Sequence, residues 1–82
     1  MRAVEAYEND DYKTAYELFY PLAAYKRNDE AQLYMGMIYF HGDGVEKNID
    51  TACEWWKKAM RNGNVDAANR LSEIKTSTKT MF

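Results

Sequence analysis

The sequence predicts an all-α fold: a short right-handed solenoid of about two and a half stacked antiparallel helical hairpins, with five helices. Apolar residues recur at helical spacing along most of the chain. Turn residues, mainly Asn, Asp and Gly, divide this pattern into segments of helical length. Two stretches also repeat each other, with Ala15 and Ala52, 37 residues apart, at equivalent positions. A repeat of this period indicates hairpins that stack because none can bury its apolar side alone.

The first two helices are predicted over residues 2–8 and 12–25, where short apolar stripes recur every three or four residues. The Asn-Asp-Asp turn at residues 9–11 separates them, and one of its side chains is expected to cap the second helix. Pro21 lies inside the second helix and removes one backbone hydrogen bond. A bend is therefore predicted in the turn that precedes it, from Glu17 onwards.

The third and fourth helices are predicted to form the central hairpin. Apolar residues occupy two faces of the third helix, over residues 29–40, which indicates neighbours on both sides. Its start is expected at a capping box of Asp29 and Gln32. Two glycines in the following loop, residues 41–45, permit a tight reversal with positive φ. The fourth helix is expected to begin after a cap at Asn48 and to end at an Asn-Gly stop.

A fifth helix is predicted from a cap at Asn64 to Ile74. The polar, threonine-containing run that follows predicts a flexible tail. We therefore expect a single helical-repeat domain over residues 1–75 and a flexible C-terminal tail over residues 76–82. The open ends of the solenoid and the apolar C-terminal pair are compatible with a monomer or a weak dimer.

Composition excludes several classes of function. The chain has 82 residues, enough for one small domain, and a net charge of −2, which argues against a nucleic-acid binder and mildly favours a basic partner. Its one cysteine, Cys53, cannot form an internal disulfide and favours a reducing compartment. The sequence has neither an apolar run long enough to span a membrane nor a signal peptide. If Met1 is the native start, a cytoplasmic protein is expected.

Groups that could carry chemistry are sparse. The loop at residues 41–44 has two glycines, but it lacks the Lys-Ser/Thr pair and the preceding strand of a phosphate-binding loop. His41, Asp43 and Glu46 are a thin set of metal ligands. Cys53 lies on an apolar stripe without an assignable base, as a structural thiol would. We predict no catalytic residue, no cofactor and no metal site.

The central hairpin carries a long motif of alanine, glycine and aromatic residues: Ala31-Gln32-x-x-Met35-Gly36-x-x-Tyr39-x-x-Gly42-x-Gly44-Val45-x-x-Asn48, then Ala52-x-x-Trp55-Trp56-x-Lys58-Ala59-x-x-x-Gly63. This motif resembles the Sel-one-like repeat (SLR), a longer-looped relative of the tetratricopeptide repeat. The resemblance covers about residues 3–74, as one full repeat and two partial ones, and the opening half-repeat is similar to that of bacterial members. Four positions depart from the usual pattern: Asn48, Trp56, Met60 and Ser72.

The resemblance implies a non-enzymatic protein–protein interaction module in which the first helix of each hairpin lines a concave face. Positions carried over to that face combine aromatic and methionine anchors with a charged rim. The alternative is that flanking helices bury the apolar members as ordinary core. The expected partner-binding residues are Tyr7, Glu8, Glu30, Leu33, Tyr34, Met37, Phe40, His41, Arg70 and Glu73.

The leading functional hypothesis is a small cytoplasmic inhibitor or immunity-type protein that binds and blocks a partner such as a toxin, for example a basic nuclease. The alternative is an adaptor or regulatory scaffold that joins two proteins. In either case the partner is another protein, with no role for nucleic acid or membrane. A secreted enzyme or carbohydrate binder is a third hypothesis, and the sparse catalytic groups speak against it.

Overall fold

The computed structural model describes the backbone of residues 2–80 and the side chains of residues 2–74. This part of the chain forms five α-helices and no strand, which confirms the predicted all-α fold. Its principal extents are 40 × 25 × 17 Å. The helices are α1 (Arg2–Glu8), α2 (Tyr12–Tyr25), α3 (Asp29–His41), α4 (Ile49–Arg61) and α5 (Val65–Thr80).

Each helix packs mainly against the next one in the chain, so that α3 lies between α2 and α4. One side of α3 contributes Met35 and Ile38 to a core that it shares with Phe19 of α2. The other side contributes Leu33 to a second core, built around Trp56 of α4. The two apolar faces predicted for this helix are therefore each covered by a neighbouring helix.

Asparagine and aspartate side chains begin helices α2 to α5, as expected from their ability to accept a hydrogen bond from a free backbone N–H. Asp11 accepts from the N–H of residue 14 at 3.3 Å, Asn48 from residue 51 at 3.0 Å and Asn64 from residue 67 at 2.8 Å. The predicted caps at Asn48 and Asn64 are confirmed, and Asp11 supplies the cap expected from the turn before α2.

The predicted capping box of α3 is wrong. Asn28 begins the helix instead, and its side chain accepts a hydrogen bond from the N–H of Ala31 at 2.9 Å. The side chain of Gln32 does not reach back to the helix start, because it is buried and donates to the carbonyl of Ala23 on α2. The helix therefore begins with a single asparagine cap.

Two predictions about helix length have different outcomes. α2 runs through Pro21 to Tyr25 as predicted, and the bend before that proline stays a prediction. α5 continues to Thr80, past the expected end at Ile74, because threonine disfavours a helix only weakly. The apolar end at residues 81–82 lies outside the described residues, and the boundary between a domain at 1–75 and a tail at 76–82 stays a prediction.

Candidate functional site

The loop after α3 is held against the start of the chain by one side-chain hydrogen bond. Gly42 ends α3 in the left-handed conformation at φ 71°, which turns the loop back along the helix. The Tyr7 hydroxyl donates to Asp43 Oδ2 at 2.8 Å across 36 residues of sequence. Burial, and then this hydrogen bond, raise the pKa of Tyr7, so that the phenol is a neutral donor at physiological pH.

Tyr7 and Tyr34 form an aromatic pair on the surface of α1 and α3. Their ring centroids lie 5.4 Å apart, and the rings meet edge to face at 71°. Tyr34 also stacks on the buried ring of Phe19, with centroids 4.7 Å apart and planes 7° apart. Burial raises the pKa of Tyr34, and the negative charges of Glu30 and Glu8 add to this effect. The structure therefore places two acidic side chains near this tyrosine.

A second group surrounds Trp56. This indole is 1% exposed and donates its Nε1–H to the carbonyl of Leu33 at 3.1 Å. Phe40 packs on this indole with ring centroids 5.4 Å apart, and the ring centroid of His41 lies 5.1 Å from that of Phe40. The guanidinium carbon of Arg70, on α5, lies 6.0 Å from the Trp56 ring. The packing thus brings α3, α4 and α5 together at one point.

The other predicted residues have different environments. Leu33 is only 8% exposed and belongs to the core around Trp56, so it offers little surface to a partner. Met37 packs against the same core and stays half-buried, and Glu73 is exposed on α5. We call the half-buried and exposed predicted residues around α3 the α3 surface: Tyr7, Glu8, Glu30, Tyr34, Met37, Phe40, His41 and Arg70.

A buried polar link on another side of the molecule was not predicted from the sequence. Gln32, 3% exposed, donates its Nε2–H to the carbonyl of Ala23 at 3.1 Å. Its Oε1 accepts a hydrogen bond from Asn62 Nδ2 at 3.0 Å, so one side chain joins α2, α3 and the end of α4. The sequence signal for this link is a glutamine inside a stretch of mostly apolar residues. A buried side-chain amide requires hydrogen-bond partners, so such a glutamine indicates a polar contact in the core.

The described residues offer little for catalysis. Burial raises the pKa of the half-buried Cys53 thiol, although the charge of Lys57 opposes the shift. A thiol with a raised pKa is a poor nucleophile. In the described part of the chain, no group of three or more His, Cys, Asp or Glu side chains could hold a metal ion. None of the described helices combines the length and the apolar character needed to cross a bilayer.

Comparison with known proteins assigns the central hairpin. Residues 29–64 match the family described as the Sel1 repeat. This segment runs from the first residue of α3 to the cap of α5, and its two ends meet where Asn64 Nδ2 donates to Asp29 Oδ2 at 3.0 Å. The resemblance seen in the sequence is confirmed for these residues. Sel1 repeats are protein–protein interaction modules and are typically non-catalytic.

One curated relative is the chitin synthase regulator SKT5 of Saccharomyces cerevisiae, which is 38% identical over 42 residues. The match covers 51% of this chain and 6% of the relative, so the chain spans only a small part of that protein's length. No solved structure matches the chain.

Proposed function

We propose that this chain is a non-catalytic binding module that presents the α3 surface to another protein. The observation that carries the proposal is the row of half-buried Tyr34, Met37 and Phe40 on α3. The inner sides of the two aromatic rings are fixed by packing on Phe19 and Trp56. Aromatic and methionine side chains held in place lose little freedom on binding and supply most of the contact energy in many interfaces.

The charges around this row support a partner with a basic surface. Glu8 and Glu30 lie beside Tyr34 and raise its pKa, whereas Arg70 lies at the Phe40 end. A chain with a net charge of −2 and carboxylates at one end of the surface attracts a basic protein at moderate salt. We therefore propose an inhibitor or immunity-type role, in which the α3 surface blocks a toxin such as a basic nuclease.

The same proposal includes a cellular setting. The single cysteine is half-buried and cannot form a disulfide within the chain, which suits a reducing compartment. We place the protein in the cytoplasm as a monomer or weak dimer.

An adaptor or regulatory scaffold is the second candidate function. The relative from Saccharomyces cerevisiae is named as a regulator of another protein, a role that a binding repeat can serve. An adaptor needs two surfaces that bind independently, whereas an inhibitor needs one. The number of partners that the chain binds at once therefore separates the two candidates.

The test is affinity capture of the tagged protein from its native cells, with quantitative mass spectrometry. Two matched variants accompany it: Met37→Glu on the α3 surface, and Met60→Glu at a methionine on α4 that is 42% exposed. Each variant must first retain the helical circular dichroism of the parent protein. We expect one near-stoichiometric partner that is lost only with Met37→Glu. A partner that both variants retain would remove the α3 surface from the proposal.

The inhibitor role has its own test. The captured partner is expressed in a host cell with and without this chain, and growth is measured. Rescue by the parent protein and failure of Met37→Glu support inhibition of a toxin. A partner that is harmless alone contradicts the inhibitor role, and several substoichiometric partners favour the adaptor.

A further inference from the structure

A row of aromatic side chains connects α2 and α4 on the outside of the hairpin stack. Tyr20 stacks on Tyr16 with centroids 5.8 Å apart, and its ring meets those of Tyr25 and Trp55 edge to face at 6.2 Å each. Tyr20 is 37% exposed and Tyr25 75% exposed. Neither of these two tyrosines belongs to the two cores, so core packing does not explain why tyrosine occupies both positions.

A basic cleft adjoins this row. The cleft has a volume of about 420 Å³ and is lined by Arg27, Lys58 and Arg61, with no acidic residue among the side chains that form its wall. The amide of Asn62 lines it too, oriented by its hydrogen bonds to Gln32 Oε1 at 3.0 Å and to the Arg27 carbonyl at 3.4 Å. Three cations thus converge on one concave site in a chain whose net charge is negative.

Lys58 joins the cleft to the aromatic row, because its Nζ lies 4.5 Å from the centroid of the Trp55 ring. The C-terminal end of a helix stabilises positive charge, which explains the presence of Lys58 and of Arg61 individually in the last turn of α4. Arg27 likewise follows the C-terminal cap of α2, and it adopts the left-handed backbone at φ 51°, where glycine is less strained. The helix ends do not account for the exposed aromatic rings beside the cations, or for the meeting of cations from two helices in one cleft.

We propose that this second surface docks an acidic peptide segment of a partner protein. We call it the α2–α4 surface, and it consists of Tyr20, Tyr25, Arg27, Trp55, Lys58 and Arg61. Carboxylates of the segment occupy the cleft, where the Arg27 and Arg61 guanidinium groups can each bind one in a two-pronged geometry. An aromatic or aliphatic side chain of the segment packs on the tyrosine row. Tyr, Trp and Arg are the residue types that dominate binding energy at protein interfaces.

The two neighbouring tryptophans give an independent reporter for each surface. Trp55 packs against Tyr20 in the α2–α4 surface, whereas Trp56 packs against Phe40 behind the α3 surface. In a ¹⁵N-labelled sample of the full chain, each indole N–H gives its own resonance, and Trp55→Phe assigns them. A ligand on the α2–α4 surface shifts the Trp55 resonance and leaves the Trp56 resonance in place.

The experiment selects ligands from a random phage-displayed peptide library on the immobilised full chain. The selected peptides are then synthesised and titrated by fluorescence anisotropy and NMR. We expect a pool enriched in Asp and Glu around an aromatic or aliphatic residue. Binding falls roughly tenfold or more in Lys58→Glu/Arg61→Glu. It is retained in Lys13→Glu/Lys47→Glu, a control with the same change in net charge at two exposed lysines outside the cleft.

Three results would overturn the proposal: a pool without acidic enrichment, acidic peptides that shift Trp56 in place of Trp55, or equal losses in the two double variants. A single-stranded oligonucleotide that displaces the peptides at physiological salt would assign the cleft to phosphate and also overturn it. The α3 surface is tested separately by Met37→Glu, so failure of one surface leaves the other standing.

Discussion

The indole of Trp56 occupies the space that any side chain at Gly36 would need. A Cβ placed on Gly36 would lie 2.2 Å from Trp56 Nε1 and 2.3 Å from Cδ1. The two helices can approach this closely only because position 36 has no side chain, and the approach lets Nε1–H reach the carbonyl of Leu33 at 3.1 Å. The position of Trp56 beneath Phe40 therefore depends on a glycine in the middle of α3.

The first prediction concerns Gly36→Ala, which forces the Trp56 indole to move and breaks its hydrogen bond to Leu33. Overpacking and a lost buried hydrogen bond together lower the free energy of unfolding by about 3 kcal/mol. For a domain of this size the melting temperature falls by roughly 15 °C, measured by circular dichroism.

The control for this substitution is Gly63→Ala. No atom lies within 4 Å of a Cβ at Gly63, and the residue adopts φ 92°. Its replacement therefore introduces only the backbone strain of a left-handed alanine, about 1 kcal/mol. Equal losses for the two variants would show that the indole is free to move away from position 36.

The second prediction concerns Tyr7→Phe, which keeps the ring that packs on Tyr34 and removes only the hydrogen bond to Asp43. We expect the free energy of unfolding to fall by about 1.5 kcal/mol, the lower end for a bond to a charged group, because the pair is only partly buried. Urea unfolding measures the change. Tyr12→Phe removes the exposed hydrogen bond to Asp10 and should lose clearly less. Comparable losses would mean that Asp43 does not tie the loop to α1.

Features that depend on residues close together in the sequence could be predicted from it, whereas features that depend on contacts between distant residues could not. The double apolar face of α3 and the caps at Asn48 and Asn64 are local patterns, and they were predicted correctly. The cap of α3 failed by one residue, because Asn28 and Asp29 are both good caps. Gln32 cannot complete a capping box with Asp29, because its side chain lies in the interior and donates to the Ala23 carbonyl on α2.

For the proposed binding residues, the sequence indicates exposure only where the position along one helix decides it. Tyr34, Met37 and Phe40 share a side of α3 because of helical spacing. The hydrogen bond from Tyr7 to Asp43 depends on how α1 is oriented against a loop 36 residues away. No local sequence pattern indicates that orientation. Likewise the sequence left Leu33 open between surface and core, and its packing against α4 and α5 places it in the core.

The third prediction is a loss of stability in alkali. Burial raises the pKa of Tyr16 to about 12, and burial also raises the pKa values of Tyr7 and Tyr34 above the usual value near 10. Below about pH 9 these phenols are almost fully protonated in both folded and unfolded chains and contribute no slope. Above it the unfolded chain releases protons that the folded chain keeps, so the free energy of unfolding falls as pH rises towards the folded pKa values.

Urea unfolding at a series of pH values from 8 to about 11.5 measures this slope. Phenolate absorbance at 295 nm shows in parallel whether the tyrosines ionise late. The double variant Tyr7→Phe/Tyr16→Phe should have a shallower decline than the parent protein, because two groups with raised pKa values are gone. A free energy of unfolding that stays level over this range would contradict the prediction.

The fourth prediction concerns the buried amide of Gln32, for which two substitutions of similar volume give different pH dependences. Gln32→Leu leaves the Ala23 carbonyl and the Asn62 amide without their partner at every pH. We expect a loss of about 2 kcal/mol that does not change between pH 7 and pH 4.

Gln32→Glu keeps the shape of the side chain and changes the atom that faces Ala23 from a donor to an acceptor. At pH 7 a buried carboxylate opposite a carbonyl oxygen should destabilise the fold. Burial raises the pKa of such a carboxyl group in the folded chain, whereas Arg27, Lys58 and Arg61 of the adjoining cleft oppose this rise. The protonated acid, which can donate to the Ala23 carbonyl, is therefore restored only as pH falls towards 4. Urea unfolding at pH 7 and pH 4 should therefore show Gln32→Glu recovering towards the parent protein while Gln32→Leu does not. Parallel behaviour of the two variants would mean that the donor at position 32 has no role in joining α2 to α3.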